Sequence, residues 1–194
     1  MSPRTAAFER KTAETSVRVR LSLDGDGQGA VHTGVPFLDH LLTALARHAG
    51  IDLELTADGD LAVDDHHTVE DTAIGLGKAV DQALGDRAGI ARFGHAYAPL
   101  DEALVRAVVD LSGRPFARID LPWRRPVIGG LALENCAHWL STFATSARLC
   151  LHLDCLRGEN DHHKCEAAFK AFALALRIAV RRRGVGVPST KGVL

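Results

Sequence analysis

The sequence repeats itself, and this internal repeat constrains the fold more than any other feature. Residues 37–55 (FLDHLLTALARHAGIDLEL) align with residues 135–153 (NCAHWLSTFATSARLCLHL), which places His40 over His138. Apolar periodicity predicts the order β-β-α-β-α followed by β-β-β-α-β-α. Because a sheet must cover one apolar face, we expect an α+β, sandwich-like fold with helices on one face of a sheet in each half.

The predicted elements follow from periodicity and from the residues that end each run. Alternating apolar residues predict strands, and apolar residues three and four apart predict helices that begin near proline or acidic residues and end at glycine. The predicted half-domains are residues 1–88 and 89–194, which together form one compact catalytic domain. Strands are predicted at 17–23, 51–57, 92–98, 103–110, 115–120 and 150–156, and helices at 36–49, 66–84, 131–147 and 162–183.

Charge and cysteine content exclude several classes of partner. The formal net charge of -1 with neutral histidines gives no electrostatic basis for binding nucleic acid or an anionic membrane. The N-terminal residues lack the apolar core of a signal peptide, and no apolar run approaches membrane length. The four cysteines show no C-x-x-C spacing, which is typical of reduced thiols. We therefore expect a cytoplasmic protein.

Two short motifs each set a pair of adjacent histidines before a glutamate. They read DDHHTVED at residues 64–71 and NDHHKCEA at residues 160–167. Neighbouring residues on a helix point about 100° apart, whereas residues three or four apart share a face. His67 with Glu70, and His163 with Glu166, are therefore predicted to hold one ion each. Their neighbours His66 and His162 point to another side and would serve a different ion.

Counting the repeated donors predicts two metal ions. A symmetric partition gives one ion His40, His67, Glu70 and His162, and gives the other His138, His163, Glu166 and His66. Three imidazoles and one carboxylate leave two open octahedral positions, which indicates a catalytic site, and mixed N/O ligands suit Mn, Fe, Co or Zn. A single histidine on a helix is usually a surface or core residue, but three matched histidines in both halves favour ligation. The predicted acceptors for ring N–H groups are Asp64, Asp65, Asp71 and Asp161.

Other residues suggest an anionic substrate. Lys170 lies one turn beyond Glu166, whereas the first half has Ile74 there; an ordinary Glu–Lys helix pair is the alternative explanation. The C-terminal segment offers Ser189, Thr190 and Lys191, which suit phosphate. Bidentate contacts from Arg92 and Arg114 are possible additions. His95 and His152 are predicted to be surface or core residues without a ligand role.

Six segments together resemble the imidazoleglycerol-phosphate dehydratase family. They are FLDHLLTALARH, DDHHTVEDTAIGLGKAV, RFGHAYAPLDEAL, LSGRPF, GENDHHKCEAAFKAFALAL and VPSTKGVL, and they occur in order between residues 12 and 194. The resemblance implies two half-domains, each a mainly antiparallel four-stranded sheet with two helices on one face. It also implies a homo-24-mer with active sites between subunits and two Mn²⁺ ions per site.

The resemblance further implies an activity and a set of site residues. The implied enzyme is a hydro-lyase of histidine biosynthesis that converts D-erythro-imidazole glycerol phosphate to imidazole acetol phosphate and water, through a metal-bound imidazolate and a diazafulvene. Glu14 is the predicted proton shuttle, with Glu70 and Glu166 as competing catalytic groups. The implied metal ligands are His40, His66, His67, Glu70, His138, His162, His163 and Glu166. The implied substrate contacts are Glu14, His40, His48, His66, His67, Arg92, Arg114, His162, Lys170, Ser189, Thr190 and Lys191.

Two other functions remain open from the residues alone. A dinuclear phosphoesterase would also use two metals and phosphate-binding groups, although such sites usually share a bridging carboxylate. Metal ions that only join subunits into a non-catalytic cage are the second alternative. Phosphate release from a generic monoester would favour the first, and full assembly without turnover would favour the second.

Overall fold

The computed structural model describes residues 3–192 and 194 of the 194-residue chain. The half-domain predictions at 1–88 and 89–194 also cover residues 1, 2 and 193, which lie outside the described residues. The first half contains β1 (Thr5–Lys11), β2 (Thr15–Ser22), β3 (Gly29–His32), α1 (Pro36–Ala49), β4 (Asp52–Gly59) and α2 (His66–Leu84). The second contains β5 (Phe93–Leu100), β6 (Ala103–Asp110), β7 (Phe116–Asp120), β8 (Val127–Ile128), β9 (Leu131–Ala132), α3 (Leu133–Ser146), β10 (Cys150–Arg157) and α4 (Asp161–Ala179).

The two halves form matching four-stranded sheets. Their strand orders are β1-β2-β4-β3 and β5-β6-β10-β7. In each sheet the last pair, β3 with β4 and β7 with β10, is parallel, and the other pairs are antiparallel. The predicted α+β class with duplicated halves is confirmed.

Four helices fill the space between the sheets and interlock the halves. α2 packs on β1 and β2 of its own sheet, and α4 packs on β5 and β6 of the other. The remaining helices cross over, because α1 packs against α4 and α3 packs against α2. A buried aromatic group, Trp139, Phe143, Phe169 and Phe172, joins α3 to α4. The helix that covers each sheet therefore also packs against a helix from the other half: α2 against α3, and α4 against α1.

Alternation in the strands sets which side chains enter this core. Val17, Val19 and Leu21 of β2 are buried at every second position, as the period of two requires. Gly75 of α2 faces them, and a Cβ there would lie 3.1 Å from Val17 and 3.3 Å from Val19. The glycine lets α2 approach its sheet closely.

The structure corrects four details of the predicted elements. β1 (Thr5–Lys11) lies outside every predicted strand range. β3 was missed because four residues, GAVH, are too short for a periodic signal. α4 ends at Ala179 rather than at residue 183, so the run Arg181, Arg182 and Arg183 lies beyond the helix. The segment between β7 and α3 forms a small hairpin, β8 with β9, in which Gly129 and Gly130 have positive φ angles of 53° and 80°. Among the described residues, the helices are too short or too polar to cross a membrane.

Candidate metal and substrate site

The first cluster of ligand-type side chains lies where α1 meets α4. We call His40, His162 and Glu166 the α1–α4 cluster. The Nε2 atoms of His40 and His162 lie 3.5 and 3.3 Å from Oε2 of Glu166. Phe37 packs beside the two imidazoles, with ring centroids 6.2 Å from His40 and 5.0 Å from His162. One carboxylate oxygen and two imidazole nitrogens thus converge on a shared point beside an aromatic ring.

The second cluster lies at the corresponding contact between α2 and α3. We call His66, Glu70 and His138 the α2–α3 cluster. Nε2 of His138 lies 3.2 Å from Oε1 of Glu70, and the rings of His66 and His138 stack with centroids 4.8 Å apart. Nδ1 of His66 lies 3.3 Å from Oδ1 of Asn135. Both clusters combine helices from different halves, so neither half alone provides a complete cluster.

The second histidine of each pair points away from both clusters. The rings of His66 and His67 are nearly perpendicular, at 78°, and those of His162 and His163 are at 86°. Nδ1 of His67 lies 3.0 Å from Oδ2 of Asp60, and Nδ1 of His163 lies 2.7 Å from Oε2 of Glu102. The predicted divergence of adjacent histidines is present in both halves.

Carboxylates control the charge of these two outward-facing histidines. The hydrogen bond to Asp60 raises the pKa of His67, and the hydrogen bond to Glu102 raises the pKa of His163. The backbone N–H of Asn160 and the ring of His163 lower the pKa of Glu102 to about 2. In both cases the carboxylate contacts Nδ1, and a hydrogen bond at Nδ1 directs metal binding to Nε2. Nε2 of His163 also lies 3.7 Å from Oδ2 of Asp101.

The grouping of donors within the chain differs from the predicted partition. We placed Glu70 with His40 and His162, and Glu166 with His66 and His138. In the structure each glutamate instead groups with the histidine four residues before it on the same helix. Residues four apart on an α-helix point in directions that differ by about 40°, whereas residues three apart differ by about 60°. The i, i+4 neighbour therefore shares the face of the glutamate more closely.

The predicted acceptors for the imidazole N–H groups make other contacts within the chain. Asp64 accepts the backbone N–H of His66, and Asp65 accepts that of Ala132. Asp71 binds Arg10 and Thr15, and Asp161 binds Lys164 and two backbone N–H groups. Sequence proximity to the histidines suggested these four residues. Among the described residues, the side chains within hydrogen-bonding distance of an Nδ1 atom in the two histidine pairs are Asp60, Glu102 and Asn135, whose positions depend on how loops and helices pack.

A basic group adjoins the α1–α4 cluster. Nζ of Lys170 lies 2.6 Å from Oε1 of Glu166. Burial raises the pKa of Glu166, but the ion pair with Lys170 and the contact with His40 outweigh burial and leave it below its usual value. His48, in the last turn of α1, has a lowered pKa because of burial and the nearby Lys170 charge. A cavity of about 360 Å³ opens here, lined by Gly27, Gln28, Gly29, His40, Thr43, Ala44, Arg47 and His48.

The other predicted phosphate contacts lie at the opposite end of α4. Arg92 donates its backbone N–H to the Ala179 carbonyl, and its guanidinium binds Asp110 at 2.7 and 3.1 Å and the Pro188 carbonyl at 2.9 Å. Ala179 lies thirteen residues beyond Glu166, which is about 20 Å along the helix. One chain therefore does not bring Arg92 to the α1–α4 cluster.

Four further predicted contacts lie toward this distant end. Ser189 is held near Arg92 by the Pro188 carbonyl contact, and its Oγ accepts the backbone N–H of Lys191 at 3.2 Å. Thr190 and Lys191 are exposed. Arg114, also exposed, lies in the turn between β6 and β7, where its backbone N–H contacts Ser112.

The donor chemistry of both clusters fits a transition-metal ion. Each offers two imidazole nitrogens and one carboxylate oxygen, and the ligand atoms within each cluster lie within 4.8 Å of one another. Mixed N/O donor sets of this kind suit divalent Mn, Fe, Co or Zn. The fold and site together define a class: duplicated α+β proteins that carry two candidate metal clusters at the contacts between their halves.

Comparison with known proteins places the chain within one family of this kind. The sequence pattern of imidazoleglycerol-phosphate dehydratase matches residues 33–176. The imidazoleglycerol-phosphate dehydratase of Salinibacter ruber is 60% identical over 195 residues, covering 100% of this chain and 96% of that protein. This chain belongs to the imidazoleglycerol-phosphate dehydratase family, as its resemblance in sequence predicted.

Solved structures agree with this assignment. The imidazoleglycerol-phosphate dehydratase from Staphylococcus aureus subsp. aureus N315 has a TM-score of 0.83 at 35% identity, covering 92% of this chain and 99% of that one. The corresponding enzyme from Pyrococcus furiosus has a TM-score of 0.84 at 38% identity, covering 96% and 100%. Both likenesses extend over both halves of the fold.

Proposed function

We propose that the protein dehydrates D-erythro-imidazole glycerol phosphate to imidazole acetol phosphate in histidine biosynthesis. Family membership over nearly the whole chain carries this proposal. In the reaction the C–O bond next to the imidazole breaks and the neighbouring carbon loses its proton. Water leaves, and the resulting enol becomes a ketone. The two clusters support the proposal because they supply donors for an imidazole-binding dinuclear site.

The proposed cofactor is two Mn²⁺ ions per active site. The α1–α4 cluster would hold one and the α2–α3 cluster the other, and His67 and His163 would each complete a ligand set. Bound there, the ions act as Lewis acids and as a template for the substrate. The contacts at Nδ1 support this role, since Asp60 lies against Nδ1 of His67 and Glu102 against Nδ1 of His163.

Assembly of several copies is a further part of the proposal. We propose that His67 and His163 bind ions held by neighbouring subunits, in the homo-24-mer that the family resemblance implies. The distance of about 20 Å along α4 between Glu166 and the Arg92 end supports sites built from more than one chain. The division of the chain at residues 88 and 89 and a cytoplasmic location are further proposals.

The proposed substrate contacts fall into two groups. His40, His48 and Lys170 adjoin the 360 Å³ cavity or the α1–α4 cluster, where a cation would orient an anionic group. From a neighbouring subunit, the opposite end of α4 would bind the phosphate. Residues proposed for that end are Arg92, Arg114, Ser189, Thr190 and Lys191. The ring faces of His66, His67 and His162 complete the proposed contacts.

Chelation gives the direct test of the proposed function. We expect the purified protein to form imidazole acetol phosphate with Mn²⁺ present, to lose this activity when chelator removes the metal, and to regain it when Mn²⁺ is restored. Product formation and particle mass are measured on the same samples. No product from a fully metallated protein would contradict the proposal.

The same samples separate the alternative functions. Phosphate release from a generic monoester would indicate a phosphoesterase, although Glu70 and Glu166 lie in different clusters and neither bridges them within the chain. An assembled particle without turnover would indicate ions that serve assembly alone.

Glu14 gives a sharper test of the proton transfer. Its side chain is 56% exposed, and its Oε2 lies 3.8 Å from Nδ1 of His67, which is beyond hydrogen-bonding distance. We expect Glu14→Gln to reduce kcat by about 10²–10⁴-fold, the usual contribution of a positioned acid or base. Metal content, measured by elemental analysis, should stay at the wild-type value. Wild-type turnover in the metallated variant would assign the proton to another group.

A further inference from the structure

Strand pairing makes Glu14 and Glu102 equivalent residues of the two halves. The repeat aligns Asp52 of β4 with Cys150 of β10. Asp52 pairs with Ser22 in the first sheet, and Cys150 pairs with Asp110 in the second. Counting back eight residues along β2 and β6 reaches Glu14 and Glu102, each directly before its strand. The two glutamates therefore occupy the same turn position beside equivalent histidines.

The equivalent glutamates make different contacts. Oε2 of Glu102 lies 2.7 Å from Nδ1 of His163, whereas Oε2 of Glu14 lies 3.8 Å from Nδ1 of His67. The other oxygen of Glu102 accepts the backbone N–H groups of Glu159 and Asn160 at 3.1 and 2.7 Å. Glu102 is thus fixed at both carboxylate oxygens, and Glu14 is loosely held.

Loop length explains the difference. Six residues, 60–65, join β4 to α2, and the first of them, Asp60, turns its carboxylate to within 3.0 Å of Nδ1 of His67. Only three residues, 158–160, join β10 to α4. In that shorter loop the Glu159 carboxylate lies 3.9 Å from Arg124. The backbone N–H groups of Glu159 and Asn160 donate to Glu102. The residue that contacts Nδ1 therefore comes from the long loop in the first half (Asp60 to His67) and from the β-turn in the second half (Glu102 to His163).

We propose that Glu102 is a positioning residue for the metal ligand His163 and that Asp60 has the same role for His67. Because Asp60 takes this role in the first half, Glu14 is available to act on the substrate. The inference deepens the proposed function and rests on it for the role of Glu14. A carboxylate on Nδ1–H fixes the tautomer and leaves the Nε2 lone pair for the metal. Glutamine at residue 102 can donate to Nδ1, which would favour the wrong tautomer, with the proton on Nε2.

The test compares two matched variants at equivalent positions. Metal-free full-length wild type, Glu102→Gln and Glu14→Gln are titrated with Mn²⁺, and free Mn²⁺ is followed by electron paramagnetic resonance. We expect Glu102→Gln to weaken one class of sites by about 10–100-fold, the usual effect of removing a partner of a metal ligand. Glu14→Gln should bind both ions as the wild type does. Unchanged affinity in Glu102→Gln, or equal weakening in both variants, would overturn the proposal.

A third variant separates positioning from simple support of the helix. Asn160 caps α4, because its Oδ1 accepts the backbone N–H of His162 at 2.9 Å. Asn160→Ala loosens the same helix start without removing the contact between Glu102 and His163. We expect Asn160→Ala to bind Mn²⁺ more tightly than Glu102→Gln at the affected sites; an equal loss would show that Glu102 only supports the helix. The titration contains no substrate, so its outcome is independent of whether the protein is a dehydratase.

Discussion

Alanine at His163 is expected to remove metal and activity together. The Nε2 atom of this residue is proposed to complete a four-ligand set, and three ligands hold a divalent ion less tightly. Loss of one ion removes several kcal/mol of charge stabilisation, so we expect kcat/KM to fall by at least about 10³-fold. The equivalent variant His67→Ala should behave in the same way at the other ion. Metal content and dehydration rate are measured on the same preparation.

A matched histidine variant controls for a general effect of losing an imidazole. His95 is exposed on β5 and has no predicted ligand role. His95→Ala should keep both metal content and rate close to those of the wild type. If His163→Ala retained full metal content, the proposed pairing of the histidines with the ions would be wrong.

The second large effect is expected from Asp161, which holds the hairpin segment to the start of α4. The side chains of Asp161 and Lys164 are each 1% exposed, and Nζ of Lys164 lies 2.5 Å from Oδ1 of Asp161. Oδ2 of Asp161 accepts the backbone N–H groups of Arg124 and Arg125 at 2.9 and 2.8 Å. Asp161→Ala leaves a buried ammonium without its counter-ion. We expect the free energy of unfolding to fall by about 3–5 kcal/mol, measured by urea denaturation.

A double variant tests whether the unpaired charge causes this loss. Lys164→Met in the Asp161→Ala background removes the buried charge while keeping a long apolar side chain. The double variant should therefore be more stable than Asp161→Ala alone. If it is no more stable, the unpaired charge is not the main cause, and the loss comes from the hydrogen bonds to Arg124 and Arg125, with a further loss from the Lys164 contact to the Pro122 carbonyl, which methionine also removes.

Much of the fold could be predicted from the sequence because its signals are local. The amphipathic periods of α1 and α2 and the alternation in β2 gave element type and approximate bounds. The repeat then limited the topology, since one arrangement had to serve both halves. β3 escaped detection because its pairing with β4 comes from the tertiary structure, and its four residues carry no periodic pattern of their own. α4 ended earlier than predicted because charged residues after Ala179 extend an apparent helical pattern without a helix.

The candidate site was predictable in its residue types but not in its grouping. The histidine pairs repeat in register, so the divergence of His66 from His67 followed from helix geometry alone. Which carboxylate joins which imidazole depends on the crossing of helices from different halves, and this geometry has no sequence signal. Asp60 and Glu102 were missed for the same reason. One lies in a loop and the other in a β-turn, and only the packed structure brings them to the histidines.

The crossed packing of α1 on α4 and α3 on α2 gives the chain the geometry of a covalently linked two-fold dimer. A single ancestral half could have built equivalent ion sites by pairing with a copy of itself, but every sequence change would then have appeared in both sites at once. Joining two copies in tandem removed that restriction. Under this scheme Glu14 and Glu102 are copies of one residue, and their different contacts make the two sites chemically distinct.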